Sequence, residues 1–401
     1  MVIRRGIAAT LPFVFACALA CAPKKTPLDV TKCPPTVPSA EASATAGKRL
    51  APTPEAPASS FGAPEAALSA QAAPPPLLPQ SPDPDPPQLG KIGDLPLESG
   101  EVLKDCQVEY RVLGAANADK SNVVVWATWF SGITKDLVQL VGPGRLVDST
   151  RYQVVLVGAL ANGVSSSPSN SLAQPRARFP TIGVRDMVES QHRLLTTVLG
   201  LNRVHAVMGI SMGGMQTFQW GVAYPSFMDR LIPIVGSPRL APYDLLLWQA
   251  NVDAIEQSPE FAGGNYRTQP ILSVVQQLGD LHLTTAGNYN REVTREQVLT
   301  GHDKLSPPRF DANDRLRQLR AMIGHDVTRA FGGSLDAAVA AVKAKLLVVV
   351  NERDAMVTPG PALDFARRAH ATTLTLKGDC GHRSTGCEEK EISARIARFL
   401  Q

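Results

Sequence analysis

Short apolar runs recur along the C-terminal part of the chain and alternate with stretches of helical period. In Val123-Val124-Val125-Trp126-Ala127 successive positions are apolar, so residues 122–128 predict a strand buried on both faces. Residues 152–157, 204–208, 231–235 and 346–350 read the same way, and Thr373-Leu374-Thr375-Leu376 closes the series. Helical spacing covers 184–199, the residues from Gly214 to Trp220, and the segment ending at Leu400. Doubly buried strands separated by helices predict one α/β domain over residues 99–401, with a mostly parallel central sheet flanked by helices. Residues 237–343 are largely helical in pattern and predict a lid inserted at the sheet edge.

The first 98 residues follow another pattern. Arg4 and Arg5 precede an apolar stretch from Ile7 to Ala20, too short for an ordinary membrane span, so residues 1–20 read as a secretory signal. Ala18-Leu19-Ala20-Cys21 resembles a bacterial lipobox, which makes Cys21 the candidate lipidation site. Cys17 is a weaker rival, and an ordinary cleaved signal is the plain alternative. Of the 33 prolines, 18 fall in residues 22–98, which rules out a packed core there. Residues 21–98 are expected to be a disordered Pro/Ala-rich tether, reaching about 50 Å as a flexible coil. Together these imply export, with a lipid anchor facing the periplasm or cell exterior.

Composition narrows the function. Hydrophobic residues at 44% suffice for a large core, while a net charge of +4 and 5% aromatics argue against nucleic-acid binding. No metal-ligand spacing stands out, and the chemistry proposed below requires no cofactor.

Gly209-Ile210-Ser211-Met212-Gly213 is a G-x-S-x-G pentapeptide with an apolar strand before it and a helix after it. A sharp strand-to-helix turn exposes a serine hydroxyl, and the two glycines avoid clashes across that turn. A hydroxyl becomes a nucleophile only when a histidine takes its proton and an acid orients that histidine. Asp354 and His382 follow the last two predicted strands, where the turn also points; Glu352 is a rival acid and Asp379 a weaker one. His205 reads as a core histidine, and His192, His282, His302, His325 and His370 carry no local signature. The N–H groups of Met212 and of Phe130, in Thr128-Trp129-Phe130-Ser131-Gly132, are the candidate oxyanion donors.

Several blocks, in order, resemble the homoserine O-acetyltransferase family of α/β-hydrolase-fold enzymes. They are Leu140-Val141-Gly142-Pro143-Gly144, Phe179-Pro180-Thr181-Ile182-Gly183-Val184-Arg185-Asp186-Met187, Gly209 to Trp220, Phe261-Ala262-Gly263-Gly264-Asn265-Tyr266 and Arg309-Phe310-Asp311-Ala312-Asn313. The resemblance implies an α/β-hydrolase fold with a helical lid, a Ser211-Asp354-His382 triad and an acyl-serine intermediate. It also implies an acyl-CoA donor and suggests a homodimer through the lid. Family members that bind homoserine follow the histidine with an aspartate and carry a lid arginine; here those positions are Arg383 and Gln276. One carboxylate replaced by a cation and one cation by an uncharged amide argue against homoserine as acceptor, and Arg383 becomes a candidate for a carboxylate or phosphate. Coenzyme A thioesters are cytoplasmic, so an exported relative would use another acyl donor, or pass the acyl group to water. The expected partner is a small acyl ester or thioester. An acetyl-CoA-dependent acetyltransferase and a catalytically silent surface binding module remain as alternatives.

Cys33, Cys106, Cys380 and Cys387 allow three pairings. A Cys380–Cys387 bridge would close a short loop around His382. Two free thiols, or Cys106 taking one partner, are the alternatives.

Overall fold

The computed structural model describes residues 86–301 and 310–401. The expected signal (residues 1–20), Cys17, Cys21, Cys33, the expected tether up to residue 85, His302 and Arg309 lie outside the described residues.

Eight strands form one sheet: β1 (Gln88–Pro96), β2 (Val102–Leu113), β3 (Val123–Ala127), β4 (Gln153–Val157), β5 (Val204–Ile210), β6 (Met228–Ile234), β7 (Lys345–Asn351) and β8 (Thr372–Leu376), in the order β1-β2-β4-β3-β5-β6-β7-β8. From β4 to β8 every neighbouring pair is parallel, whereas β1–β2 and β2–β4 are antiparallel. Alternation along β3 sends Val123 and Val125 into one apolar cluster with Val155, Val157 and Val207. Val124 and Trp126 enter another with Val154, Leu156 and Met208. Period-two geometry with both faces covered therefore explains the uninterrupted apolar runs.

The domain begins earlier than residue 99. Gln88–Pro96 is an edge strand, not tether: Leu95 is fully buried, and the Tyr110 hydroxyl donates to Gln88 Oε1 at 2.6 Å. Register shifts between Lys91, Gly93 and Leu95 break the alternation that would have marked it, and Pro96 sits at its end, where a missing N–H costs least. Strand β2 lacks an apolar sequence signature because its buried positions include Glu109 and Arg111. The helix expected over 184–199 is α-helical over Val184–Arg193 and continues as a π turn over Leu194–Val198. Between β6 and β7 lie the helices Pro242–Glu256, Ser273–Leu283, Ala286–Glu292, Arg295–Gly301, Ala312–Ile323 and Leu335–Ala341.

Candidate active site

Strand β5 runs into the helix Met212–Ala223 through Ser211, which takes φ 58° and ψ −119°. A positive φ on a serine is strained backbone that the surroundings must hold. The Ser211 N–H donates to the Ile234 carbonyl on neighbouring β6 at 2.8 Å. The flanking glycines are required by close approach: a Cβ on Gly209 would lie 2.2 Å from the Gly213 carbonyl oxygen, and one on Gly213 would lie 2.5 Å from that of Ala127.

His382 sits in a single 3₁₀ turn, Gly381–Arg383, beyond β8, and Asp354 follows β7. His382 Nε2 lies 2.8 Å from Ser211 Oγ, and His382 Nδ1 lies 2.7 Å from Asp354 Oδ2. All three residues are buried. A carboxylate at Nδ1 keeps the imidazole proton there and leaves the Nε2 lone pair facing the hydroxyl. The other carboxylate oxygen, Asp354 Oδ1, accepts the N–H groups of Met356 and Val357 at 2.9 and 3.0 Å, so the acid is fixed from both sides.

The rival acids are elsewhere. Glu352 is exposed, and Asp379 pairs with Arg291 of the lid. His205 is half-buried at the far end of β5, with Nε2 2.7 Å from the Leu400 carbonyl oxygen and its ring stacked on Tyr152. His192 stacks on Tyr224, His282 Nδ1 contacts the Leu278 carbonyl, and His325 is buried in the segment after the helix Ala312–Ile323.

In the loop after β3, the Thr128 N–H donates to the Val157 carbonyl, Ser131 N–H to Gln318 Oε1, and Gly132 N–H to the Trp129 carbonyl. That leaves the amides of Trp129 and Phe130 as the loop's candidates for an oxyanion. Ser131 itself has φ 63°, another strained position, held by Gln318.

Several residues that hold this geometry were not anticipated. Gln318, fully buried on the lid helix Ala312–Ile323, accepts from Ser131 at 2.8 Å and donates to the Leu160 carbonyl at 3.0 Å. Gln216 donates to the carbonyls of Thr128 and Met212 and accepts from Gln191, which in turn accepts from the Trp220 indole. Glu109 accepts from the Thr134 N–H and hydroxyl and from Asn162, whose amide also donates to the Gly132 carbonyl. Burial pushes the Glu109 carboxyl above its ordinary range, against those hydrogen bonds, which lower it. Buried polar side chains on otherwise apolar faces are the one sequence signal that could have pointed to this network.

Two expected pocket residues are exposed and paired with neighbouring carboxylates. Arg383 is exposed and pairs with Glu292 at 2.7 Å; Gln276 is exposed and donates to Asp280 one turn along its own helix. In a 3₁₀ turn consecutive side chains diverge by about 120°, so turning His382 inward turns Arg383 outward. The Cys380–Cys387 bridge is present, with its Cα atoms 6.4 Å apart, and Cys106 is a buried free thiol whose pKa burial pushes up to about 12.

The family model for the alpha/beta hydrolase fold matches residues 121–384. The chain belongs to the alpha/beta hydrolase family. Within that family it is 34% identical over 287 residues to an ethyl acetate hydrolase of Pseudomonas veronii, spanning 68% of this chain and 81% of that protein. It is 28% identical over 353 residues to a homoserine O-acetyltransferase of Methanosalsum zhilinae, spanning 77% of this chain and 71% of that protein. Among solved structures the acetyl esterase MekB superposes with a TM-score of 0.73 at 31% identity, covering 79% of this chain and 97% of that one. Like other alpha/beta hydrolases of this group, the protein is an enzyme of the esterase and acyltransferase type.

Proposed function

We propose that the protein is an exported serine esterase that hydrolyses short-chain carboxylic esters, acetyl esters first among them. The buried Ser211–His382–Asp354 relay, at 2.8 and 2.7 Å, carries the reading. Ser211 Oγ attacks the ester carbonyl as its proton passes to His382 Nε2. The N–H groups of Met212 and Phe130 hold the oxyanion, and Asp354 stabilises the imidazolium. The carbon–oxygen bond to the alcohol breaks, and the alcohol leaves with the His382 proton. Water then attacks the acyl-serine, gives its proton to His382, and Ser211 departs with that proton, releasing the acid.

Water as acceptor is supported by the esterase relatives and by the leader-like N-terminal sequence, since an exported domain would not meet cytoplasmic coenzyme A. Arg383 and Gln276 are exposed and paired with Glu292 and Asp280, so the choice of water does not rest on them. The leader also supports lipidation of Cys21, which Cys21→Ala would abolish in fatty-acid labelling of cells. Steady-state assays decide between hydrolysis and transfer. Short acetyl esters should be cleaved with kcat/KM of about 10⁴ M⁻¹s⁻¹ or more. Efficient O-acetylhomoserine formation from acetyl-CoA and homoserine, with little ester cleavage, would overturn the reading.

A further inference from the structure

Arg315 lies on the lid helix Ala312–Ile323, one face of which covers the loop after β3. Its guanidinium carbon sits 5.4 Å from the centre of the Phe130 ring and 5.3 Å from that of Phe310, two rings packed edge to face. No carboxylate among the described residues pairs with it, whereas the neighbouring arginines are engaged. Arg320 pairs with Glu256, Arg317 donates to the carbonyls of Ala177 and Phe179, and Arg383 pairs with Glu292. The acids nearest in sequence are committed to amides: Asp311 caps the helix through Asn313, and Asp314 is held by Ser169. Burial alone holds the Arg315 pKa down to about 10.

Arg315 is only part-buried, yet its N–H donors find no acceptor among the described residues. Two aromatic faces supply attraction but accept none of those hydrogen bonds in the plane of the fork. Phe130 also carries the candidate oxyanion amide, so the ring that Arg315 covers belongs to the residue whose backbone would hold the ester carbonyl. We propose that Arg315 is a specificity-determining residue that receives a carboxylate carried by the ester substrate, on its acyl or its alcohol portion. A carboxylate fits better than a phosphate because its single charge and planar oxygens match one guanidinium fork, and Arg383 is already paired with Glu292. The inference rests on the esterase reading and names the substrate class of that same site.

The test compares kcat/KM for two matched pairs. Mono-4-nitrophenyl succinate against 4-nitrophenyl butyrate probes an acyl-side carboxylate; 4-acetoxybenzoate against 4-methylphenyl acetate probes an alcohol-side one. In one pair the wild type should favour the carboxylated member. That preference should fall about 10- to 100-fold in Arg315→Met and recover in part in Arg315→Lys. An unchanged preference in Arg315→Met, in both pairs, overturns the proposal. Calorimetric titration of Ser211→Ala with monomethyl succinate and 4-acetoxybenzoate separates the two readings because it needs no turnover. Arg315-dependent binding without any ester cleavage would sink the esterase reading and keep this one. Cleavage of neutral esters, with neither preference nor binding dependent on Arg315, would do the reverse.

Discussion

Gln318 Oε1 accepts the Ser131 N–H at 2.8 Å, so a lid side chain pins the strained loop that carries Phe130. Replacing it with leucine leaves a buried amide unsatisfied, at a cost of about 1–3 kcal/mol, and frees the loop. Gln318→Leu is expected to lower kcat by about tenfold or more with a smaller change in KM, because the oxyanion donor acts in the transition state. Equal kcat in Gln318→Leu and wild type would show that the loop holds its geometry without the lid.

Asp354 is the acid that cannot be replaced locally. Glu352 is exposed, and the position beside His382 Nδ1 is fixed by the amides of Met356 and Val357 acting on Asp354. Asp354→Asn should lose on the order of 10⁴-fold in kcat through the wrong imidazole tautomer, while Glu352→Gln stays near wild type. Steady-state kinetics of the two variants decide; a large loss in Glu352→Gln would contradict the assignment.

The Cys380–Cys387 bridge joins cysteines seven positions apart and encloses His382. Entropic stabilisation from so short a loop is at the low end of the usual range, whereas the restraint on the histidine is direct. Reduction, or Cys387→Ser, should lower activity severalfold while Tm falls by only a few degrees, read by scanning calorimetry beside the assay. A large Tm loss with full activity at low temperature would assign the bridge to the fold alone.

Burial, and secondarily Asp311, pushes the fully buried Asp314 carboxyl well above its ordinary range. A carboxyl whose folded pKa is raised contributes stability below its unfolded pKa and loses it as pH rises through the folded one. Asp314→Asn removes that titration. Its stability relative to wild type should therefore improve from pH 4 upward, measured by denaturant unfolding; a parallel pH profile for both proteins would contradict the assignment.

The parts of the fold legible in the sequence were those with one dominant physical cause. Strands β3 to β7 are buried on both faces and read as apolar runs, and Gly209 and Gly213 stand where a Cβ would strike backbone. Asp354 and His382 could be located because they follow strands that end beside Ser211. Strands β1 and β2 were hidden by bulges and by the buried Glu109 and Arg111. The exposed position of Arg383 is not legible, because adjacency to His382 in sequence says nothing about which way a 3₁₀ turn aims each side chain. Gln318 and Arg315 act across more than 180 residues of chain, through the packing of the lid on the loop after β3, and no local pattern encodes that.

The central claim is that Ser211 is a nucleophile activated by His382. Labelling the folded protein with a fluorophosphonate and mapping the adduct tests it most directly, because the reagent reports activated serines whatever the natural substrate is. One label is expected, on the peptide containing Ser211, lost in Ser211→Ala and strongly slowed in His382→Ala. A label on another residue, or none on a folded wild-type protein, would contradict the account.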